Sequence, residues 1–202
     1  MSEWVQEALT TISEEDLMAL GSDAHIEVIE GKVIPISPVN GLHHFIAGNI
    51  HRLLDRYVEP RGTGYVMMDG LIYLLNKVGG GIRGARVPDV SYIRKRDIPK
   101  DWNIERPYPG APTLAVEVMS PDDKFDDAVV RVREYLAAGS DEVWVVLPVS
   151  RQVYQYRQSE PNRIYVAAQD TAEHARIDTD SLFPGLNPAL SDIFTLPSLH
   201  DE

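Results

Sequence analysis

Residues 114–147 constrain the fold more than any other part of the chain. Leu114 to Met119 (LAVEVM) is a short, mostly apolar run, the pattern of a strand in the middle of a sheet. Ser120-Pro121 stops it. Asp122 to Ala138 then places Phe125, Val129, Val132 and Leu136 at helical spacing, with Gly139 as the C-terminal stop. Val143 to Leu147 (VWVVL) returns to the apolar strand pattern. A helix crossing over between two such strands calls for an α/β layering, a sheet with helices packed against it.

The flanking segments extend the same alternation. Ser13 ahead of Glu14, Glu15 and Asp16, then Leu17, Met18 and Leu20, reads as a capped helical turn. His25 to Ile36 alternates around Glu30-Gly31 and predicts a hairpin. Ile46, Ile50, Leu53, Leu54 and Tyr57 mark an amphipathic helix over 42–58, closed by Pro60 and Gly62. Tyr65 to Leu75 reads as one β run, followed by the turn Gly79-Gly80-Gly81. Arg86 to Ile93 (RVPDVSYI) reads as another, with Pro88 at a strand start or edge. Gln152–Tyr156 and Ile164–Ala167 are further strands, ahead of a turn-rich tail, LFPGLNPALSDIF. No repeat or long linker divides the 202 residues. The expected organisation is an acidic helical extension over 1–20, one domain over 21–195 and a tail over 196–202.

Composition narrows the function classes. The absence of cysteine excludes disulfides, thiolate zinc sites and a cysteine nucleophile. No apolar run reaches the roughly 20 residues of a membrane span and no signal-peptide pattern opens the chain, so the expected location is cytoplasmic. Neither a Gly-x-Ser-x-Gly elbow nor a His-Glu-x-x-His helix is present. The net charge of −12 is unevenly spread. Residues 1–30 hold eight acidic and no basic side chains, and 168–202 hold seven acids against Arg176 alone, leaving the middle slightly positive. Within it, Arg83, Arg86, Arg94, Lys95, Arg96, Lys100 and Arg106 form either a solvated stretch or a phosphate-attracting patch. The glycine turn with Arg83 is a weak phosphate cradle, better read as a hairpin tip. Tyr92, Trp102 and Tyr108 suit base stacking or core packing equally.

Two carboxylates stand where apolar residues are the rule. Asp89 follows Pro88 in RVPDVSYI, and Glu117 interrupts LAVEVM on the face shared by Ala115 and Met119. A buried carboxylate is costly unless it is paired, hydrogen-bonded or bound to a metal. If these strands pair, the two converge. Two hard oxygen ligands and a backbone carbonyl make half a shell for Mg²⁺, with water and a substrate phosphate to complete it. The bland alternative is an edge-strand Asp and a salt-bridged Glu.

The ordered set IEVIEGKVIPISPVNGLHH, RVPDVSYI, PTLAVEVMSPDDKFDD, REYLAAGSDEVWVV and LFPGL resembles a large bacterial family of restriction endonucleases of unknown specificity. That family lies within the PD-(D/E)XK nuclease superfamily, and the resemblance spans about residues 20–195. It implies a restriction-endonuclease-like α/β (α+β) fold, a mixed central sheet flanked by helices, and an endonuclease that uses Mg²⁺ or Mn²⁺ to hydrolyse DNA. By resemblance, Asp89 and Glu117 hold the metal with the Val118 carbonyl, and Met119 stands where the superfamily's lysine usually lies. In this family that lysine moves to the next helix, a position held here by Arg131, four residues before Tyr135. Arginine does not give up its proton, so Arg131 is expected to clamp phosphate rather than deprotonate water. Glu27 and His43 match accessory positions of the family. Lys124 lies about two helical turns before Arg131 and, with Arg83 and Arg86, is a candidate DNA contact. His25, His44, His51, His174 and His200 have no metal-site spacing.

Three readings therefore stand. One is a DNA endonuclease, expected to be a homodimer because cutting both strands suits two-fold symmetry. A second is a nuclease acting on RNA. The third is a nuclease fold whose site has weakened and which serves as a protein-interaction module.

Overall fold

A computed structural model describes residues 10–21, 24–158, 160–167 and 176–198. His174 and His200, the first nine residues of the acidic extension and the end of the tail lie outside these residues. Among the described residues, ten strands form two sheets. The first is antiparallel and holds β1 (Ile26–Ile29), β2 (Lys32–Pro35), β4 (Tyr73–Val78) and β5 (Gly81–Arg86), in the order β2-β1-β5-β4. The second is six-stranded, in the order β10-β9-β8-β7-β6-β3. Its members are β3 (Gly64–Met68), β6 (Val90–Arg94), β7 (Leu114–Val118), β8 (Glu142–Leu147), β9 (Gln152–Arg157) and β10 (Arg163–Val166). Only β7 and β8 run parallel, as the crossover helix between them requires, so the sheet is mixed.

The helices sit where their apolar stripes can be covered. α1 (Glu14–Ala19) is capped by the Ser13 hydroxyl, which accepts the Asp16 N–H, and its Leu17 packs on Ile26, Val28, Leu74 and Ala85 of the first sheet. α2 (Gly41–Val58) starts at Asn40, whose Oδ1 accepts the His43 N–H at 3.0 Å. Its Ile46, Ile50 and Leu54 meet Val90, Tyr92, Val116 and Val118 on one face of the large sheet. α3 (Phe125–Ala137) covers the opposite face, with Ala128, Val132 and Tyr135 against Ala115, Met119, Val143 and Val145. Gly139 closes α3 at φ +109°, a backbone region that an L side chain resists. Gly31, in the β1–β2 turn, has φ +79°, and a Cβ there would lie 2.0 Å from the Thr10 carbonyl oxygen.

The helices at 14–19, 41–58 and 125–137 and the hairpin at 26–35 fall within a few residues of where the sequence pattern puts them. Two expectations fail for one reason. The run Tyr65–Leu75 is not one strand: β3 ends at Met68 and β4 begins at Tyr73 in the other sheet. RVPDVSYI likewise divides, with Arg86 ending β5 and Val90 opening β6. In both places the chain changes sheet, and strand propensity is blind to which sheet a residue joins. The tail also contains a short helix, α4 (Leu190–Phe194), whose Leu190, Ile193 and Phe194 complete the core under α2.

Tyr92 and Tyr108 are buried and Trp102 packs edge-on against Tyr108, so these aromatics serve packing rather than base stacking. Gly79 and Gly80, both at positive φ, form the tip of the β4–β5 hairpin. Among the described residues, no helix is long and apolar enough to cross a membrane.

Candidate active site

The register of the large sheet brings the two predicted carboxylates together. β6 and β7 pair antiparallel with Val90 opposite Val116 and Ser91 opposite Ala115. Continued by one residue, that register sets Asp89 beside Glu117. Pro88 is what makes this position special: it has no N–H for a ladder, so the chain leaves one sheet there and enters the next. Asp89 stands at that entrance with its side chain partly exposed, and its Oδ2 accepts the Val118 N–H at 2.6 Å. Its Oδ1 lies 3.2 Å from His43 Nε2. The first turn of α2 thereby reaches across to the sheet's end. His43 is buried, and its Nδ1 has no hydrogen-bond partner among the described residues. Burial alone would lower the His43 pKa; the Asp89 hydrogen bond and charge outweigh it and raise it, helped by Asp123 and Asp69.

Glu117 is buried on the α3 side of β7. Its Oε1 accepts the Tyr135 hydroxyl at 2.8 Å and its Oε2 accepts Arg131 Nη1 at 3.0 Å. Burial pushes its carboxyl up from 4.5 to about 7; the Arg131 charge opposes the rise, while Asp89 and Glu27 reinforce it. Arg131, although partly desolvated, is held firmly charged by Glu117 and Glu27. Burial and the same carboxylates push the Tyr135 hydroxyl well above its ordinary value, so it stays a donor. Arg131 and Tyr135 are four residues apart on α3, hence one above the other on the face that meets β7.

The first sheet supplies the third wall. Glu27 of β1 is buried, and its Oε2 accepts Arg86 Nη1 at 2.6 Å, with Arg131 Nη2 at 4.0 Å. The other oxygen faces the Val87 N–H at 3.5 Å, in the segment that leads to Asp89. Arg86 also donates from Nε to Glu134 of α3 at 2.7 Å. A cavity of about 460 Å³ opens alongside, walled by Glu30, Asn76, Arg83 and Glu134.

The sequence-predicted residues thus separate into groups. Asp89, Glu117, Val118, Arg131, Glu27 and His43 form one contiguous cluster. Arg83 lines the neighbouring cavity, and Lys124 is exposed at the cap of α3, taking part in none of the cluster's hydrogen bonds. Arg86 needs correction. The sequence reading makes it a DNA contact, but it is buried and its charge is spent on Glu27 and Glu134, so it has none to offer a phosphate. The wider basic stretch is not one patch either: Arg94 pairs with Asp97 and Asp141 at the far end of β6. Tyr135 and Glu134 join the site without having been singled out by the sequence reading. Their three- and four-residue spacing from Arg131 is the one signal that could have shown it.

The donor set suits a hard divalent cation of modest demands. Among the described residues no three His, Asp or Glu converge as a ready-made metal cluster. Mg²⁺, however, is commonly held by one or two carboxylates, with water and phosphate completing its shell. Each Asp89 and Glu117 oxygen accepts a single hydrogen bond or ion pair and keeps a further lone pair. Among the described residues the carboxylates of Glu27, Glu117 and Glu134 face the guanidiniums of Arg86 and Arg131, and Asp89 faces the His43 imidazole, so four carboxylates meet two guanidiniums and one imidazole, an excess of negative charge that a divalent ion would neutralise. The residues therefore fit such an ion.

The architecture matches that of a nuclease-fold protein from Anabaena variabilis ATCC 29413. The crystal structure of that protein, at 1.96 Å, is described as a "putative nuclease belonging to DUF820". The two align with a TM-score of 0.72 at 21% identity, over 91% of this chain and 97% of the other. A family model gives the closer assignment: residues 13–193 match Uma2, described as "Putative restriction endonuclease", and the chain belongs to that family. No curated protein matches it significantly.

Proposed function

We propose that this protein hydrolyses phosphodiester bonds in DNA with Mg²⁺ or Mn²⁺, held by Asp89 and Glu117 with the Val118 carbonyl. The observation that supports this reading is Asp89 accepting the Val118 N–H next to Glu117, which leaves two carboxylates at the end of a sheet in a chain of a restriction-endonuclease family. When bound, the ion supplies Lewis-acid activation of water and neutralises charge on the phosphoryl group. The chain's own residues do the rest. His43 and the Val118 N–H fix the Asp89 carboxylate from two directions. Tyr135 holds Glu117 from behind without giving up its proton. Arg131, a permanent cation at the edge of the cluster, binds the substrate phosphate and stabilises charge that develops on it. With arginine in the lysine position, proton removal from water falls to solvent or to a carboxylate.

Calorimetric titration with Mn²⁺ tests this without a guess at the DNA sequence. Wild type is expected to show saturable binding that Asp89→Asn abolishes with the fold intact. Absence of binding to wild type counts against a metal site. It would favour the interaction-module reading, for which the Arg131 charge already paired with Glu117 speaks. Cleavage of single- and double-stranded RNA beside DNA decides the substrate, and light scattering tests the homodimer that two-strand cutting suits.

A further inference from the structure

Two guanidiniums compete for one buried carboxylate at the junction of the sheets. Glu27 Oε2 lies 2.6 Å from Arg86 Nη1 and 4.0 Å from Arg131 Nη2, while Arg131 Nη1 lies 3.0 Å from Glu117. Arg86 is 4% exposed and reaches Glu134 with its Nε at 2.7 Å, so it is pinned at both ends. It cannot leave, and its Nη1 occupies the Glu27 oxygen that Arg131 would otherwise approach more closely. We infer that Arg86 is a positioning residue: by occupying Glu27 it turns Arg131 onto Glu117 and sets how much of the Glu117 charge is left to a metal ion. This rests on the proposed metal site for its second consequence only; the competition itself is a property of the side chains.

The geometry explains why so costly a group is kept. A buried ion pair rarely adds stability over an apolar replacement, because desolvating both partners offsets their attraction. What it fixes here is position. Glu27 belongs to β1, Arg86 to β5, Glu134 and Arg131 to α3, and Glu117 to β7. The chain Glu134–Arg86–Glu27–Arg131–Glu117 therefore joins both sheets and the crossover helix through one run of charges. The Val87 N–H facing Glu27 adds the segment leading to Asp89 to the same run.

A double-mutant cycle tests the inference. Arg86→Gln, Arg131→Gln and the double variant are unfolded in urea. With Arg86 gone, Arg131 is expected to move to Glu27 and spare part of the loss; with both gone, Glu27 is buried without a cation. The double variant should therefore be destabilised by more than the sum of the two single changes. Additive losses would overturn the inference. Should Arg86→Gln not fold, Arg86→Lys gives the same excess at reduced size, since an ammonium reaches one carboxylate where guanidinium spans two.

Mn²⁺ titration supplies a second readout, and Arg86→Lys, which keeps the charge but reaches only one carboxylate, separates release of Glu117 from mere loss of a cation near the ion. Arg86→Gln should bind Mn²⁺ several-fold more tightly than wild type, because Arg131 retreats from Glu117. Unchanged or weaker binding by a folded Arg86→Gln, beside a wild type that does bind, would refute the positioning role. A wild type silent to Mn²⁺ with a non-additive cycle would sink the metal site and leave the competition standing.

Discussion

Replacing Glu117 by glutamine should make this protein more stable at pH 8, by about 3 kcal/mol. The folded state raises this carboxyl from 4.5 to about 7, chiefly by burial, so the folded chain holds the proton more tightly than the unfolded one. For such a group the stabilising contribution is complete below pH 4.5 and is lost as the pH rises through 7. Each tenfold difference in proton affinity between the folded and unfolded chains is worth about 1.4 kcal/mol, so the ionised wild type at pH 8 carries a penalty of about 3 kcal/mol. Glutamine mimics the protonated acid: its oxygen accepts from Arg131 and its amide donates to the Tyr135 oxygen, with no charge to desolvate. Urea unfolding at pH 8 and pH 5 reads the difference. With an m value of about 3 kcal/mol/M, the variant's midpoint should lie about 1 M higher at pH 8. At pH 5 the gap should fall below about 1 kcal/mol, because most of the titration lies above that pH. A Glu117→Gln variant no more stable than wild type at pH 8, or a gap that does not shrink on acidification, would refute the account of a strained carboxylate.

Further outcomes follow from the same geometry. Tyr135→Phe removes one of the donors to buried Glu117 and should cost about 1–3 kcal/mol in urea unfolding. Glu142, fully buried, accepts from Trp144, Gln155, Arg157 and Ser181; Glu142→Ala removes the acceptor all four share, leaving Gln155 and Arg157 only the Asp178 carbonyl and Glu160, and should cost about 3–5 kcal/mol, read by thermal or urea unfolding. Arg131→Gln should weaken binding of a non-cleaved DNA duplex and lower the slope of log affinity against log salt by about one counterion. Gly31→Ala should destabilise by more than about 1 kcal/mol, since the new methyl would meet the Thr10 backbone at a positive φ; thermal unfolding shows it.

The local elements and the two odd carboxylates are written in the sequence. The crossover helix at 125–137 is legible because Val132 and its neighbours repeat at 3.6 residues, and LAVEVM because a short apolar run has few uses other than a buried strand. Glu117 stands out because charge inside such a run must be compensated, whatever the fold. Even the proximity of Asp89 to Glu117 is reachable as a condition on strand pairing. Whether that pairing exists, and in which register, is a long-range fact, since a shift of one residue would turn Glu117 away. That RVPDVSYI breaks between two sheets at Pro88 emerges only from the folded arrangement. So does the placement of Arg86 as a buried clamp rather than a surface phosphate contact. An arginine looks the same in sequence whether it meets solvent or two carboxylates brought in from β1 and α3. Its role is fixed by partners 59 and 48 residues away, and no local pattern encodes them.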